Sequence, residues 1–467
     1  MFSECKSFLF LVRPRPHLMQ YVAKQIHTDA KKGFKKDYTI FFVPRRTMLC
    51  ERVLSEEGVY GDVKTGEYHL DLIPFEEDVL SLEMPLSFRE CFLDGDPTSL
   101  FYVARSLMKI QSMFGIIPII QGKGDNALQV YNLIKRMRAE APKEHFNNIV
   151  PEIQSLILID RNVDMVSAVL LQLTYEGLID EVIGIRNGMV KIEAELLAPP
   201  KSATDKPEVK APAAAAGAAA PKKDELKPVP LNNMDPLYGE IRDLNFRVLP
   251  GVFHRKAEEI KEIYKEKDSL TTVKDMAVYM KKFKSSHQEH LSLSTHIAIA
   301  DKIKNLTMTP KFAKRCEIEQ MMVAGKEEAV CEAYLDAAIA KGEPFVKVLR
   351  LLCLYSLTFG IKPKKFDFLR REIVHTYGYE RMFTLNNLEK MGLFRRVPAK
   401  SPWPIVRKAL RLHKDDVDPK AFDEKAFVFD GYMPLSARLV ELASERGVRQ
   451  NGCEPRVCGC VCVRVRC

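Results

Sequence analysis

The chain has 467 residues, 46% of them apolar and 28% charged, with a net charge of +9. Residues 201–227 hold six Lys and four Asp/Glu, and residues 448–467 hold four Arg and one Glu. Those two stretches carry +5, so the rest of the chain shares only +4, which argues against a nucleic-acid surface. The length suffices for about two to four domains with real cores, and no apolar run approaches the ~18 residues of a membrane span.

The first apolar stretch, Phe8 to Val12, lacks the basic leader and cleavage pattern of a signal peptide. It reads as a buried strand running into Arg13-Pro14-Arg15-Pro16, so the chain is expected to begin inside a domain. A cytosolic setting with reduced thiols is the default. Cys5, Cys50, Cys91, Cys316, Cys331 and Cys353 are scattered singly among apolar residues and are expected to be plain buried thiols. Cys453, Cys458, Cys460, Cys462 and Cys467 crowd the end in C-x-C steps without histidines, which is not zinc spacing. Residues 447–467 are read as a Cys/Arg-rich, non-native tail.

In chain order, a helix over Leu18–Ile26 leads to a strand over Tyr38–Val43, which ends in Pro44-Arg45-Arg46. A further strand is expected over Tyr68–Ile73, and a helix over Thr98–Phe114 capped by Asp96 with Pro97 at its first position. Strand Ile116–Ile120, turn Gly122-Lys123-Gly124 and helix Asn126–Arg138 follow. That turn matches neither GxxxxGK[ST] nor GxGxxG, so it reads as a strand-to-helix turn capped by Asp125. Then Leu156-Ile157-Leu158-Ile159 ends abruptly in Asp160-Arg161, as a strand buried on both faces does at the carboxyl edge of a parallel sheet.

Residues 198–230, rich in Ala, Pro and Lys, form a linker that cannot bury a core and is expected to be disordered. Beyond it the pattern is helical. Helices are expected at His254–Lys267, Leu270–His287, His296–Leu306, Ile318–Val323, Lys326–Lys341, Phe345–Thr358, Lys364–Tyr377, Leu385–Met391 and Ile405–Leu412. The second carries Val273, Met276, Met280 and Phe283 at helix-stripe spacing, with Lys281, Lys282 and Lys284 suited to the negative end of its dipole.

Two stretches, Asp160-Arg161-Asn162-Val163-Asp164 and Gln172 to Glu181 (QLTYEGLIDE), resemble the signature of the SM (Sec/Munc) proteins. The similarity extends through Tyr38–Arg46, Tyr68–Phe75, Leu237–Asp243, Lys347–Leu351 and Leu385–Lys390, and is strongest to the class C vacuolar sorting branch. It implies an α/β plus α fold: parallel-sheet α/β domains 1 and 2, both incomplete, followed by a mostly α-helical domain 3. The expected divisions are 1–66 (domain 1), 67–197 (domain 2), 198–230 (linker), 231–310 (domain 3a with a helical hairpin), 311–446 (domain 3b) and 447–467 (tail). Elements before residue 1 and after Arg446 are missing relative to the family. Ser167-Ala168 replaces the family's Thr-Pro pair.

The resemblance further implies a non-enzymatic chaperone of SNARE assembly, without cofactor or metal. It would serve as a subunit of a HOPS/CORVET-type tether, cytoplasmic and peripheral on endosomes, lysosomes or vacuoles. SNARE contacts are expected from Val273, Met276, Met280, Phe283, Lys281 and Lys284, since a SNARE motif is an apolar heptad stripe that fits a helix groove. The α-solenoid subunit is expected on Phe394, Arg395, Trp403 and Arg407, Trp and Arg being enriched in interface hot spots. Asp160, Arg161, Asp164 and Glu176 are read as structural charges, Arg161 pairing with Asp164 or Glu176. The competing reading makes Asp160, Asp164 and Glu176 the acids and bases of a hydrolase or phosphotransferase, although no GxSxG elbow, phosphate loop or metal-spaced histidine pair accompanies them.

Overall fold

A computed structural model describes residues 5–34, 36–142, 149–193, 226–266, 273–397, 401–414, 426 and 428–451. The side chains of 266–285 and 445–451 lie outside the described ones. The fold is α/β followed by α. First come β1 (Ser7–Val12), α1 (Pro16–Lys31), β2 (Asp37–Phe42), α2 (Met48–Glu56) and β3 (Val63–Glu67). The three strands are parallel in the order β1-β2-β3, with Phe8 opposite Tyr38 and Tyr38 opposite Val63. Alternation fixes the faces: Tyr38, Ile40 and Phe42 turn to the core formed with Met19, Val22 and Ile26 of α1 and Cys50 and Leu54 of α2.

The short pairs β4 (Ile73–Pro74) and β5 (Leu80–Ser81) and the single turn α3 (Ser87–Arg89) lead to α4 (Thr98–Phe114). Next are β6 (Ile119–Lys123), α5 (Asp125–Glu140) and β7 (Ser155–Ile159), with β6 and β7 parallel. Leu100, Ala104, Leu107 and Ile110 of α4 close on Val130 and Ile134 of α5 and on Leu156. Asp96 accepts from Thr98 N at 2.9 Å, as the cap reading requires. The strand expected over Tyr68–Ile73 is absent: pairing with β2 falls instead on Val63–Glu67, and Asp71 in the expected run is buried between Arg105 and Lys109.

After β7 come α6 (Met165–Val169), α7 (Tyr175–Val182), β8 (Ile185–Arg186), β9 (Met189–Glu193) and β10 (Leu226–Pro230), the last three forming an antiparallel sheet. The last five residues of the expected linker are therefore a strand, Val229 opposite Val190. Its residues 198–225 lie outside the described ones.

The helical part comprises α8 (Pro236–Ile241), α9 (Leu249–Glu266), α10 (Val273–Thr307), α11 (Pro310–Ala324), α12 (Glu328–Ala340), α13 (Phe345–Thr358), α14 (Pro363–Tyr377), α15 (Arg381–Lys390), α16 (Trp403–Leu410) and α17 (Leu435–Asn451). Two expected helices, Leu270–His287 and His296–Leu306, are one helix of 35 residues, because no Gly or Pro interrupts residues 273–307. Lys281, Lys282 and Lys284 thus stand in its first half, not at a C-terminal end. Helix α17 continues past Arg446 to Asn451, so the expected boundary of the tail falls inside a helix. Two apolar cores organise this part. One gathers α7, β9, α8, α9 and the second half of α10, the other α6, α11–α16 and Tyr432.

Candidate functional site: the signature segment and the helical hairpin

The signature segment begins at the carboxyl edge of β7. Asp160 is 7% exposed, and its Oδ2 accepts from the backbone N of Asn126 at 3.0 Å. The cap of α5 is thus Asp160 from the neighbouring strand, not Asp125. Gly124 makes this approach possible: its φ is +107°, and a Cβ there would stand 2.3 Å from the Asp160 Cβ. Four residues on, Asp164 is buried and receives two helix starts. Its carboxylate accepts from Ser167 N (3.2 Å) and Oγ (2.8 Å) of α6, and from Ser436 N (2.9 Å) and Oγ (2.8 Å) of α17. The Tyr432 hydroxyl donates to it as well, at 3.3 Å. Ser167 supplies the hydroxyl that closes the turn.

Arg161 is exposed, and among the described residues it forms no ion pair, contrary to the expected link to Asp164 or Glu176. Glu176 pairs instead with Arg242, 2.8 Å away, whose guanidinium also holds Glu76 at 2.9 Å and lies over the Tyr238 ring at 5.3 Å. Geometry explains the exchange. Arg161 sits at the start of a solvent-facing turn, whereas Arg242 follows α8, whose apolar face packs on α7.

Glu181 closes the segment between Arg315 (3.2 Å) and Arg350, and Arg350 Nε donates to Val169 O at 3.1 Å. Arg315 also pairs with Glu319 at 2.8 Å, and Glu319 accepts from Leu171 N at 3.0 Å. Burial works against the Arg315 charge, but Glu319 and Glu181 more than offset it and raise its pKa. These partners were not anticipated. The available signal was charge inside apolar helices: Arg350 within VLRLLCL, and Arg315 four residues before Glu319.

The acidic residues therefore do not converge on a reaction centre. Asp160 caps α5, Asp164 caps α6 and α17, and Glu176 and Glu181 are each engaged by arginines. Among the described residues no group of His, Cys, Asp and Glu is placed to hold a metal ion.

The second region is the antiparallel hairpin α9–α10. Ile260 and Tyr264 of α9 meet Leu293 and His290 of α10 along it. Val273, Met276, Met280, Lys281, Phe283 and Lys284 all lie on α10, but their side chains are outside the described ones. At the hairpin base His296, 2% exposed, lies between α7 and α8. Its Nε2 is 3.2 Å from Asp235 Oδ2, and its Nδ1 is 2.9 Å from the Tyr175 hydroxyl. A carboxylate only accepts, so Nε2 donates to Asp235, and in the neutral ring Nδ1 then accepts from Tyr175. Asp235 also caps α8 at Leu237 N (3.0 Å) and accepts from Ser292 Oγ of α10. Burial pushes the Asp235 carboxyl up, but the bonds from His296 and Ser292 outweigh it and hold it at about 2. Burial lifts the Tyr175 hydroxyl well above its ordinary range.

Of the residues expected to meet a partner, Phe394 is fully buried and stacks on Phe366 at a 4.2 Å centroid distance. Trp403 is buried too, its Nε1 donating to Val323 O at 2.9 Å. Both are core side chains rather than surface anchors: Phe394 packs on Phe366 of α14, and Trp403, at the start of α16, is bonded to α11. Arg395 is exposed, and Arg407 is half-buried beside Gly325. Exposed large apolar residues of this half include Ile405 (73%), two residues after Trp403, together with Tyr379 and Phe383 (each 72%), Val346 (68%) and Met382 (41%).

The Sec1 family model matches residues 2–454. The chain belongs to the Sec1 family. Vacuolar protein sorting-associated protein 33A of Rattus norvegicus is 40% identical over 450 residues, covering 96% of this chain and 73% of that protein. The vacuolar protein-sorting-associated protein 33 homolog of Arabidopsis thaliana is 36% identical over 448 residues, with coverages of 96% and 72%. Family members are non-enzymatic SM proteins, which removes the hydrolase or phosphotransferase reading of the acidic residues. The fold is also that of the SM protein Vps45, solved in complex with the Qa SNARE Tlg2: TM-score 0.57, 17% identity, covering 93% of this chain and 74% of that one. The Unc18–syntaxin 1 complex of Monosiga brevicollis gives a TM-score of 0.53 at 16% identity, with coverages of 93% and 74%.

Proposed function

We propose that this SM protein is a SNARE-binding chaperone that templates SNARE-complex assembly for fusion at endosomes, lysosomes or the vacuole, as a subunit of a HOPS/CORVET-type tether. The observation that carries the reading is the 40% identity, over 96% of the chain, to a vacuolar sorting protein. The shared fold with Vps45 and Unc18, each solved with a SNARE partner, supports it. In this reading the hairpin of domain 3a, residues 231–310, receives the SNARE through the stripe Val273, Met276, Met280 and Phe283, with Lys281 and Lys284 at its edge. Residues 1–66, 67–197 and 311–446 form domains 1, 2 and 3b. Among the described residues no helix is long and apolar enough to cross a membrane, so attachment to endolysosomal membranes would run through partners.

The α-solenoid subunit would dock on domain 3b. With Phe394 and Trp403 buried, the surface offered there is Tyr379, Met382 and Phe383 with Arg395 nearby in sequence, the kind of aromatic and Arg set that interface hot spots use. The test is pull-down of purified SNARE-motif helices and of the solenoid subunit by the full chain. Binding of a Qa or R SNARE helix, lost on Met276→Asp with Phe283→Asp, is the expected result. A folded chain that captures neither SNARE nor solenoid overturns the proposal.

A further inference from the structure

Helix α10 is held to the body of the protein by an unusual device. Its second half is packed by apolar side chains, Ile299 and Ile303, as core helices are. Around His296, beside Leu293 of the same core, buried polar contacts join the apolar ones. His296 reaches Tyr175 of α7 on one side and Asp235 at the start of α8 on the other, and Ser292, one turn earlier, reaches the same Asp235 carboxylate. The imidazole is also stacked on Tyr238 of α8, 5.7 Å away with planes 14° apart, and meets Tyr175 edge-on at 5.7 Å. Arg242, over the outer face of Tyr238, carries Glu176 of α7 and Glu76 in the same assembly.

Apolar packing is non-directional and lets a helix roll or tilt at small cost. A buried hydrogen-bond network does not, because each bond prefers near-linear geometry and each group left unpaired costs a desolvation penalty. The 23 helical steps from Val273 to His296 span about 35 Å at 1.5 Å each. A tilt of only ~10° at the base would move the far end by about 6 Å, more than one turn of a helical partner. The place where direction matters most is the place where directional bonds are used.

We propose that Tyr175, His296, Asp235 and Ser292 form a polar pivot through which α7, the helix of the signature segment, fixes the direction of the α9–α10 hairpin. Its functional weight rests on the reading of that hairpin as the SNARE platform. The pivot itself does not. Removing one bond then loosens the direction of the hairpin without unfolding the core beneath it, which keeps its apolar contacts.

The test places bioorthogonal spin labels, independent of the native cysteines, at exposed Glu262 of α9 and exposed Lys341 beyond α12 in the full chain. Pulsed dipolar distances are compared for the parent, Tyr175→Phe and Ser292→Ala. The expected result is a distance distribution about twofold broader in Tyr175→Phe, with the thermal midpoint within about 3 °C of the parent. Should Tyr175→Phe not fold, Ser292→Ala decides, since it removes one hydroxyl from a half-buried position. Unchanged widths in the folded variants overturn the proposal, as does broadening that tracks a loss of midpoint. Affinity for a SNARE helix is measured in parallel. Broadening without loss of affinity leaves the pivot standing and counts against the SNARE platform instead.

Discussion

The signature segment and the hairpin meet at Tyr175, yet they are built on opposite plans. From Asp160 to Glu181 the chain spends its polar groups inward. Asp164 alone serves the starts of two helices separated by more than 260 residues in sequence, and Leu171 N, Leu173 N and Glu176 N all bond to distant segments. The hairpin is a single helix pair, joined to α7 and α8 through Ser292, His296 and Asp235. A segment that touches both helical cores and the sheet tolerates few residue types at each position, whereas a projecting hairpin needs only an apolar stripe with charged edges. The residues that most readily reveal the family are thus those that hold the body together, and the proposed binding residues are the less distinctive ones.

Substitutions can break this contrast or sharpen it. The largest loss of stability is expected from Glu181→Ala, which leaves Arg350 without its carboxylate, and Arg315 with Glu319 alone, in a largely buried site. Urea denaturation should register about 3–5 kcal/mol. Asp164→Ala comes next, at about 3 kcal/mol, from two lost caps and buried hydroxyls deprived of their acceptor. Asp160→Asn should cost about 1 kcal/mol in the same measurement through the weakened cap of α5. In the hairpin, Met276→Asp with Phe283→Asp should leave stability within about 0.5 kcal/mol while abolishing SNARE-helix capture, so a large loss of stability there would erase the contrast.

The smallest effect is on pH dependence. Asp235 is depressed from its ordinary 3.8 to about 2, so its contribution to stability is full above pH 3.8 and is lost as pH falls toward 2. Asp235→Asn should flatten that part of the acid-unfolding curve, read by circular dichroism, and leave the neutral region sloping as before.

Legibility followed the same divide. Strands such as Phe8–Val12 and Leu156–Ile159 were readable as short apolar runs that end in charge, but Phe8–Val12 is not the buried strand expected, since Leu9 and Leu11 are 65% and 60% exposed at the sheet edge. Strand β3 (VKTGE) was not, because its place is set by the open edge of β2 rather than by its own pattern, while the better-patterned Tyr68–Ile73 is occupied in burying Asp71. Strand β10 holds two prolines, tolerable only at an edge, which is where it lies. The continuity of α10 was hidden by the Ser- and His-rich stretch at its middle, although that stretch contains the His296 that ties it down. Asp160, Asp164 and Glu176 were read as structural charges without their actual partners, because Asn126, Ser436 and Arg242 come from tertiary proximity that no local pattern encodes. Phe394 and Trp403 had the composition of an interface and the geometry of a core.

The pairing of β9 with β10 carries a practical corollary. Glu193 and Leu226 face each other across adjacent strands, so the two ends of the intervening stretch are held at a doorway about 5 Å wide. Closing a loop across such a doorway depends only logarithmically on its length, with each doubling costing about 0.6 kcal/mol. A fluorescent reporter or an affinity handle can therefore be spliced between these two residues, and the scaffold around them should hardly register the passenger.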